Sequence, residues 1–132
     1  MSAAAARILL VEDEPPLLQL VERYLKRLGF EVETHLRALD ALRRFEDAPD
    51  RYDLVIADLA MPDMRGDTML THMLSIRPEL RVLVCSGSPY FIENLPDSLR
   101  RQVGFLQKPF MPKMLADAVQ QLMAQIPPNT PA

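Results

Sequence analysis

The sequence predicts a single α/β domain built on a parallel sheet with helices on both faces. Two observations predict this class. Short apolar runs that suit β-strands alternate along the chain with longer stretches of helical periodicity, and this alternation is typical of parallel strands joined by right-handed crossovers. The length of 132 residues allows one domain with a substantial buried core.

Five runs have the composition of strands. The runs at 8–11, 53–57, 81–85 and 103–106 are mostly apolar, as expected for strands that are buried on both faces. The run at 31–34 alternates in polarity, so it is the weakest of the five predicted strands.

The connecting segments carry helix signals. Pro15 and Pro16 suit a first helical turn, where a missing N–H costs nothing, and Gly29 suits the end of that helix. Three further helices are marked by Leu39, Leu42 and Phe45, by Leu70, Met73, Leu74 and Ile76, and by Leu115, Ala118, Val119, Leu122 and Ile126. The segment after Pro89 is irregular, and only about two turns within 96–102 favour a helix.

Five strands and five helices in this length match a flavodoxin-like, doubly wound fold with strand order 2-1-3-4-5. The folded domain is expected to span 7–126. Residues 1–6 are expected to form a disordered or loosely ordered N-terminal tail. The Pro-rich residues 127–132 are expected to form a C-terminal tail or linker remnant.

Composition and charge argue against several classes of function. A net charge of −3 without a basic stripe argues against direct nucleic-acid binding. No apolar run approaches the ~20 residues of a membrane span. The single cysteine, Cys85, excludes an internal disulfide, fits the reducing cytoplasm and is expected in the core. His35 and His72 have no partner acid at ligand spacing, so both are expected to be surface residues.

Four predicted strands end in residues that suit one chemistry. Glu12 and Asp13 follow the first strand, Asp58 follows the third, Ser86 the fourth, and Lys108 comes shortly after the fifth. Because the carboxyl ends of parallel strands share one edge of the sheet, these side chains are expected to converge. In the order 2-1-3-4-5, strands 1 and 3 are neighbours, which places the three acids side by side.

The expected chemistry of this edge is phosphoryl transfer. Clustered carboxylates repel unless a cation offsets them, and all-oxygen ligands favour Mg²⁺ or Mn²⁺. Asp58 is the expected nucleophile, since carboxylates can form acyl phosphates. Mg²⁺, Lys108 and the Ser86 hydroxyl would stabilise the phosphoryl oxygens. Each residue alone has an ordinary explanation as a turn, cap or loop residue, but their coincidence at four strand ends favours a functional site.

On these residues the chain resembles the receiver domain of two-component response regulators, over about 6–126. The matching motifs are Leu9-Leu10-Val11-Glu12-Asp13-Glu14, Asp58-Leu59-Ala60-Met61-Pro62 with Gly66, Ser86-Gly87, and Phe105-Leu106-Gln107-Lys108-Pro109-Phe110. The resemblance implies that Asp58 accepts a phosphoryl group from a histidine kinase or histidine phosphotransfer protein. It also implies that Asp13, Asp58 and the Ala60 backbone carbonyl bind Mg²⁺, with Glu12 acting through water.

The resemblance further implies a conformational switch. Ser86 and Phe105 would form the switch pair, in which the hydroxyl moves toward the phosphoryl group and the aromatic ring turns inward. The segment 87–110 and the final helix would then carry the signal to an output domain or a downstream protein. Glu12 and Asp13 stand where many family members have two aspartates.

Two other functions are consistent with parts of the pattern. A phosphatase of the haloacid-dehalogenase type also uses a strand-end aspartate and Mg²⁺, but it places a second aspartate where this chain has Ala60. A flavodoxin would need a Ser/Thr/Gly-rich phosphate loop after the first strand, where this chain has Glu12-Asp13-Glu14-Pro15-Pro16. The sequence leaves open whether the chain is a stand-alone receiver, the receiver of a hybrid histidine kinase or a piece of a larger regulator.

Overall fold

The computed structural model describes residues 5–87, 97 and 101–124 of the chain. Within them one sheet is formed by β1 (Arg7–Val11), β2 (Glu31–His35), β3 (Leu54–Asp58), β4 (Val82–Ser86) and β5 (Val103–Gln107). Neighbouring strands pair in parallel, in the order β2-β1-β3-β4-β5. The predicted flavodoxin-like strand order is therefore confirmed.

Four α-helices connect and cover the strands in the described residues. They are α1 (Pro15–Arg27), α2 (Ala38–Asp47), α3 (Gly66–Ile76) and α4 (Pro112–Ala124), with a 3-10 turn at Pro49–Arg51. None of the helices in this part of the chain has the length and hydrophobicity needed to cross a bilayer. The helix predicted within 96–102 lies outside the described residues except for 97, 101 and 102, and so do the predicted tails except for residues 5 and 6.

The sheet separates two apolar layers. Strand residues alternate between them, so Leu9 and Val11 of β1 face one layer while Ile8 and Leu10 face the other. Helices α2 and α3 cover the first layer, and α1 and α4 cover the second. The buried Cys85 belongs to the second layer, which confirms the prediction that it is a core residue.

Gly29 ends α1 as the sequence predicts. Its φ of 99° lies in the left-handed region, which glycine adopts without steric cost. The Gly29 N–H binds the Lys26 carbonyl at 3.0 Å, and the Phe30 N–H binds the Leu25 carbonyl at 3.2 Å. These bonds satisfy carbonyls that a helix end leaves free, and the chain then turns into β2.

The strands differ slightly from their predicted bounds. β3 and β4 start and end one residue later than predicted, and each of the other three strands is one residue longer. Asp58 pairs with Cys85 in the ladder, and Ser86 pairs with Gln107. Because a ladder is made by backbone groups, a polar side chain does not end it. The sheet itself therefore holds the backbone of Asp58 and Ser86.

The prediction that His35 and His72 are surface residues without an acid partner is wrong in part. His35 is partly buried, and its Nε2 lies 2.9 Å from Glu33 Oε2. His72 is exposed as predicted, but its Nε2 lies 3.0 Å from Glu46 Oε2. Strand alternation places Glu33 on the same face of β2 as His35, and the packing of α2 against α3 supplies the partner of His72.

Candidate functional site

Three carboxylates meet at the carboxyl edge of the sheet. Glu12 and Asp13 follow β1 and Asp58 ends β3, and these two strands are hydrogen-bonded neighbours. Each side chain offers one oxygen, and the three oxygens lie within 4.8 Å of one another. Glu12 and Asp58 are buried, whereas Asp13 is partly exposed. The structure thus brings together the acids that the strand order places side by side.

Lys108 reaches this cluster from the loop after β5. Its Nζ donates to Asp58 Oδ2 at 2.8 Å and to Glu12 Oε1 at 2.9 Å. Its backbone N–H donates to the Ser86 carbonyl at 2.8 Å, so the end of β4 holds the backbone from which the side chain extends. The lysine therefore binds two of the three carboxylates.

Burial and ion pairing act in opposite directions on this cluster. Burial raises the pKa of Glu12, and the hydrogen bond and charge of Lys108 reduce that rise without cancelling it. For Lys108, burial favours the neutral amine, but the hydrogen bonds to Asp58 and Glu12 outweigh it and raise the pKa of the lysine. Lys108 is consequently an ammonium at neutral pH. One cation faces three acids, which leaves the cluster suited to a further cation.

The backbone after Asp58 packs against the start of α3. Asp58 Oδ1 accepts a hydrogen bond from the Ala60 N–H at 3.1 Å, and the Gly66 N–H binds the Leu59 carbonyl at 3.0 Å. A Cβ atom at position 66 would lie 2.3 Å from the Asp58 carbonyl oxygen and 2.6 Å from the Leu59 Cα. Glycine permits this approach because it has no side chain. The motif included Gly66, but its steric role appears only in the tertiary contact.

Ser86 and Phe105 occupy different positions relative to the carboxylates. Ser86 is the last residue of β4, is buried and contacts the Lys108 backbone through its carbonyl. Phe105 lies in the middle of the edge strand β5, opposite Val84, and packs against the layer under α2 and α3. The serine therefore belongs to the edge that holds the acids, whereas the phenylalanine lies two residues before the end of β5.

An open cavity of about 430 Å³ lies beside the acid cluster. Asp13 forms part of its wall together with Leu36, Arg37, Pro62 and Asp63. The loops after β1, β2 and β3 thus surround an approach to Asp13. Sequence reasoning did not single out Arg37 or Asp63, because an arginine before a helix and an aspartate in a loop carry no specific signal.

The set of donor atoms fits a small, hard cation. All three acids offer carboxylate oxygens, which are the ligands that Mg²⁺ prefers. Oxygens within 4.8 Å of one another can bind a single ion, and the excess negative charge of the cluster favours it. The site therefore meets the chemical requirements for Mg²⁺ binding.

A doubly wound parallel sheet with clustered acids and a lysine at its carboxyl edge defines a receiver-type α/β domain. The response regulator receiver domain model matches residues 8–120. The chain therefore belongs to the response regulator receiver domain family of two-component systems. Domains of this family are phosphoacceptor switches that bind Mg²⁺ at an acidic site and interact with histidine kinases or phosphotransfer proteins.

Relatives and solved structures agree with this assignment. The chain is 32% identical over 123 residues, 92% of its length, to the sensor kinase CckA of Brucella abortus. It is 33% identical over 128 residues, 97% of its length, to the DNA-binding transcriptional regulator NtrC of Azospirillum brasilense. The chain spans 13% of the first relative and 26% of the second, so each match is to part of a longer protein. The response regulator TrrA of Thermotoga maritima in complex with Mg²⁺-BeF aligns with a TM-score of 0.76 at 26% identity, over 89% of this chain and 98% of that one.

Proposed function

We propose that Asp58 is the phosphoacceptor of this receiver domain and takes its phosphoryl group from the phosphohistidine of a histidine kinase or histidine phosphotransfer protein. The observation that carries the proposal is the environment of the Asp58 carboxylate, which lies beside two further acids and within 2.8 Å of Lys108 Nζ. Lys108 binds one of its oxygens, and the Ala60 N–H binds the other. These two contacts orient the carboxylate at the open edge of the sheet.

The transfer is a displacement at phosphorus. An oxygen of Asp58 forms the new P–O bond while the P–N bond to the donor histidine breaks, and the imidazole nitrogen keeps the bonding electron pair. The products are an acyl phosphate on Asp58 and a free donor histidine. Lys108 offsets charge on the phosphoryl oxygens and the Ser86 hydroxyl donates a hydrogen bond to them.

We propose that Asp13, Asp58 and the Ala60 carbonyl hold Mg²⁺, with Glu12 acting through a water molecule. Glu12 lies in the same cluster of carboxylate oxygens as Asp13 and Asp58, so it can accept a hydrogen bond from a water molecule bound to the ion. When bound, the ion supplies positive charge next to the phosphoryl oxygens. Mn²⁺ is expected to substitute, because it accepts the same oxygen ligands.

We propose that Ser86 and Phe105 form the switch pair and that the signal leaves through the segment 87–110 and α4. Ser86 shares the sheet edge with the acids, and Phe105 lies on the outer strand β5, against which α4 packs. Residues 88–96 and 98–100 lie outside the described part of the chain, so the support comes from the elements on either side. The proposed domain spans 7–126, and its single buried thiol suits the cytoplasm.

The site supports a switch more than an enzyme with outside substrates. A phosphatase of the haloacid-dehalogenase type would need a proton donor and acceptor where Ala60 stands. Phosphorylation of Asp58 uses the groups described above. In dephosphorylation a water molecule attacks the phosphorus, the P–O bond to Asp58 breaks, and inorganic phosphate leaves. We therefore propose that the chain catalyses these two reactions on itself and turns over no external substrate.

Labelling with a small phosphodonor tests the acceptor. Acetyl phosphate with Mg²⁺ should add one phosphoryl group, which peptide mapping should place on Asp58 and which base or hydroxylamine should release. Asp58→Asn should abolish the label, whereas the exposed control Asp117→Asn should retain it. Stable phosphate on Ser86, or full labelling of Asp58→Asn, would contradict the assignment.

A further inference from the structure

Helix α2 obtains its N-terminal cap from another element. Its N-cap residue, Arg37, has the extended backbone of a capping position, with φ −128° and ψ 138°, but its side chain makes no capping hydrogen bond. The first N–H groups of a helix need such a partner. Asp63 supplies it, because its Oδ1 accepts from the Ala38 N–H at 3.1 Å and its Oδ2 accepts from the Leu39 N–H at 2.9 Å.

Asp63 belongs to the loop 59–65, which joins β3 to α3 and follows the phosphoacceptor. The base of this loop is held by the bond from Gly66 to Leu59 and by the bond from Ala60 to Asp58. The two hydrogen bonds of Asp63 hold the second half of the loop against α2. The loop is thus fixed at its base and at Asp63, with the proposed metal-binding carbonyl of Ala60 between the two attachments.

The charge state of Asp63 suits this contact. Burial acts to raise the pKa of the carboxyl group, but hydrogen bonds from the Leu39 and Ala38 N–H groups and the charge of Arg37 outweigh it and lower the pKa. Asp63 also lines the cavity of about 430 Å³ that Asp13 helps to line. Asp63 therefore connects the N-terminus of α2 to the rim of the acidic site.

We propose that Asp63 is a positioning residue for phosphoryl acceptance: by binding the N-terminus of α2 it fixes the loop that carries Ala60, and so the Mg²⁺ site beside Asp58. The inference rests on the proposed function of Asp58 and Ala60. Displacing a metal-binding group such as the Ala60 carbonyl by about 1 Å can remove a large part of the activity of a site. Removing the Asp63 side chain should therefore lower the affinity for Mg²⁺ and also lower the stability of α2.

The residue at position 37 provides a way to separate these two effects. Arg37→Ser places an ordinary capping side chain on α2 itself, where the backbone is already extended. In the double variant Asp63→Ala/Arg37→Ser the helix regains a cap, but the loop stays detached. Asp40→Ala is the matched control, since it removes a carboxylate from the first turn of the same helix without removing the contact of the loop.

Three quantities are measured for each full-length variant: the melting temperature without metal, the Mg²⁺ affinity by calorimetric titration, and the rate of Asp58 labelling by acetyl phosphate. Asp63→Ala should lower the melting temperature by about 4 °C and weaken Mg²⁺ binding roughly tenfold. The double variant should recover the melting temperature but not the Mg²⁺ affinity or the labelling rate. Asp40→Ala should keep its Mg²⁺ affinity within about twofold of the original chain, and Arg37→Ser alone is the reference against which the double variant is compared.

Recovery of Mg²⁺ affinity in the double variant would overturn the proposal, because Asp63 would then be only a helix cap. Unchanged Mg²⁺ affinity in Asp63→Ala would overturn it as well. If Asp63→Ala does not fold, Asp63→Asn takes its place, since the amide NH2 replaces one of the two oxygens that accept these bonds and cannot accept a hydrogen bond itself. Failure of the proposed function is seen separately, as absence of label on Asp58 in the unmodified chain.

Discussion

Glu33 shows how one carboxylate can join three elements of the fold. Its Oε2 lies 2.9 Å from His35 Nε2 on the same strand, 2.9 Å from the Tyr52 hydroxyl and 3.3 Å from Arg44 Nε on α2. Burial acts to raise its pKa, but the bonds from His35, Arg44 and Tyr52 outweigh it and lower the pKa of Glu33 to about 2. The ionised carboxylate is therefore the form that stabilises the fold.

We expect Glu33→Gln to lower the free energy of unfolding at neutral pH by about 1 kcal/mol, a modest value because solvent still screens the partly exposed group. A carboxyl group with a depressed pKa stabilises above its unfolded pKa of about 4.3 and loses that effect as the pH falls through its folded value. The difference between the two proteins should thus shrink as the pH falls from about 4.3 to about 2.

Urea unfolding across this pH range measures the effect of Glu33. Glu31→Gln is the matched control, because Glu31 lies on the same strand and pairs with Arg7 at 2.6 Å while both side chains are exposed. The control should change the free energy of unfolding by less than about 0.5 kcal/mol. Equal losses in the two variants, or a Glu33 effect independent of pH, would show that the pKa assignment is wrong.

The close contact between β3 and α3 depends on a glycine, because any side chain at position 66 would collide with the end of the strand. α3 begins at Gly66, directly against the Asp58–Leu59 peptide group. A side chain at position 66 would collide with backbone atoms of Asp58 and Leu59. Backbone atoms cannot rotate away as the end of a flexible side chain can. The loop between strand and helix therefore depends on this approach for its conformation.

We expect Gly66→Ala to destabilise the fold by about 2 kcal/mol and to weaken Mg²⁺ binding, since the strand end and the helix start must move apart. Gly87→Ala is the control, because a Cβ at that position meets nothing within 4 Å, and it should change stability by less than about 0.5 kcal/mol. Chemical denaturation and calorimetric titration measure both quantities. A Gly66→Ala protein as stable as the original chain would disprove the steric argument.

At the scale of the whole molecule, the acidic edge links metal binding to folding. Three acids face one lysine in the folded chain, and an unfolded chain does not hold these acids together. Mg²⁺ should therefore bind the folded form preferentially and stabilise it.

For a dissociation constant of about 1 mM, ~10 mM Mg²⁺ should add roughly 1.4 kcal/mol to the free energy of unfolding. Thermal melts of the original chain and of Asp13→Ala, with and without the ion, measure this. The variant should lose most of the response. Equal melting temperatures of the original chain with and without Mg²⁺, or a full response in Asp13→Ala, would remove the proposed site.

Sequence alone determined the sheet order and the convergence of the acids. Strands that are buried on both faces of a parallel sheet appear in the sequence as short apolar runs, and the carboxyl ends of parallel strands lie at a common edge. Those two rules, together with the strand order 2-1-3-4-5, place Glu12, Asp13 and Asp58 side by side without any knowledge of side-chain contacts. The strand bounds were off by one residue, because hydrogen bonding in the ladder continues through Asp58 and Ser86.

Only the tertiary structure decided which groups touch. Lys108 binds Glu12 across 96 residues of sequence, and Asp63 caps α2 across 25. Gly66 contacts the strand end, and His35 has a carboxylate partner where none was predicted. Contacts of this kind depend on the path and packing of several elements at once, whereas apolar periodicity reports only which face of one element is buried.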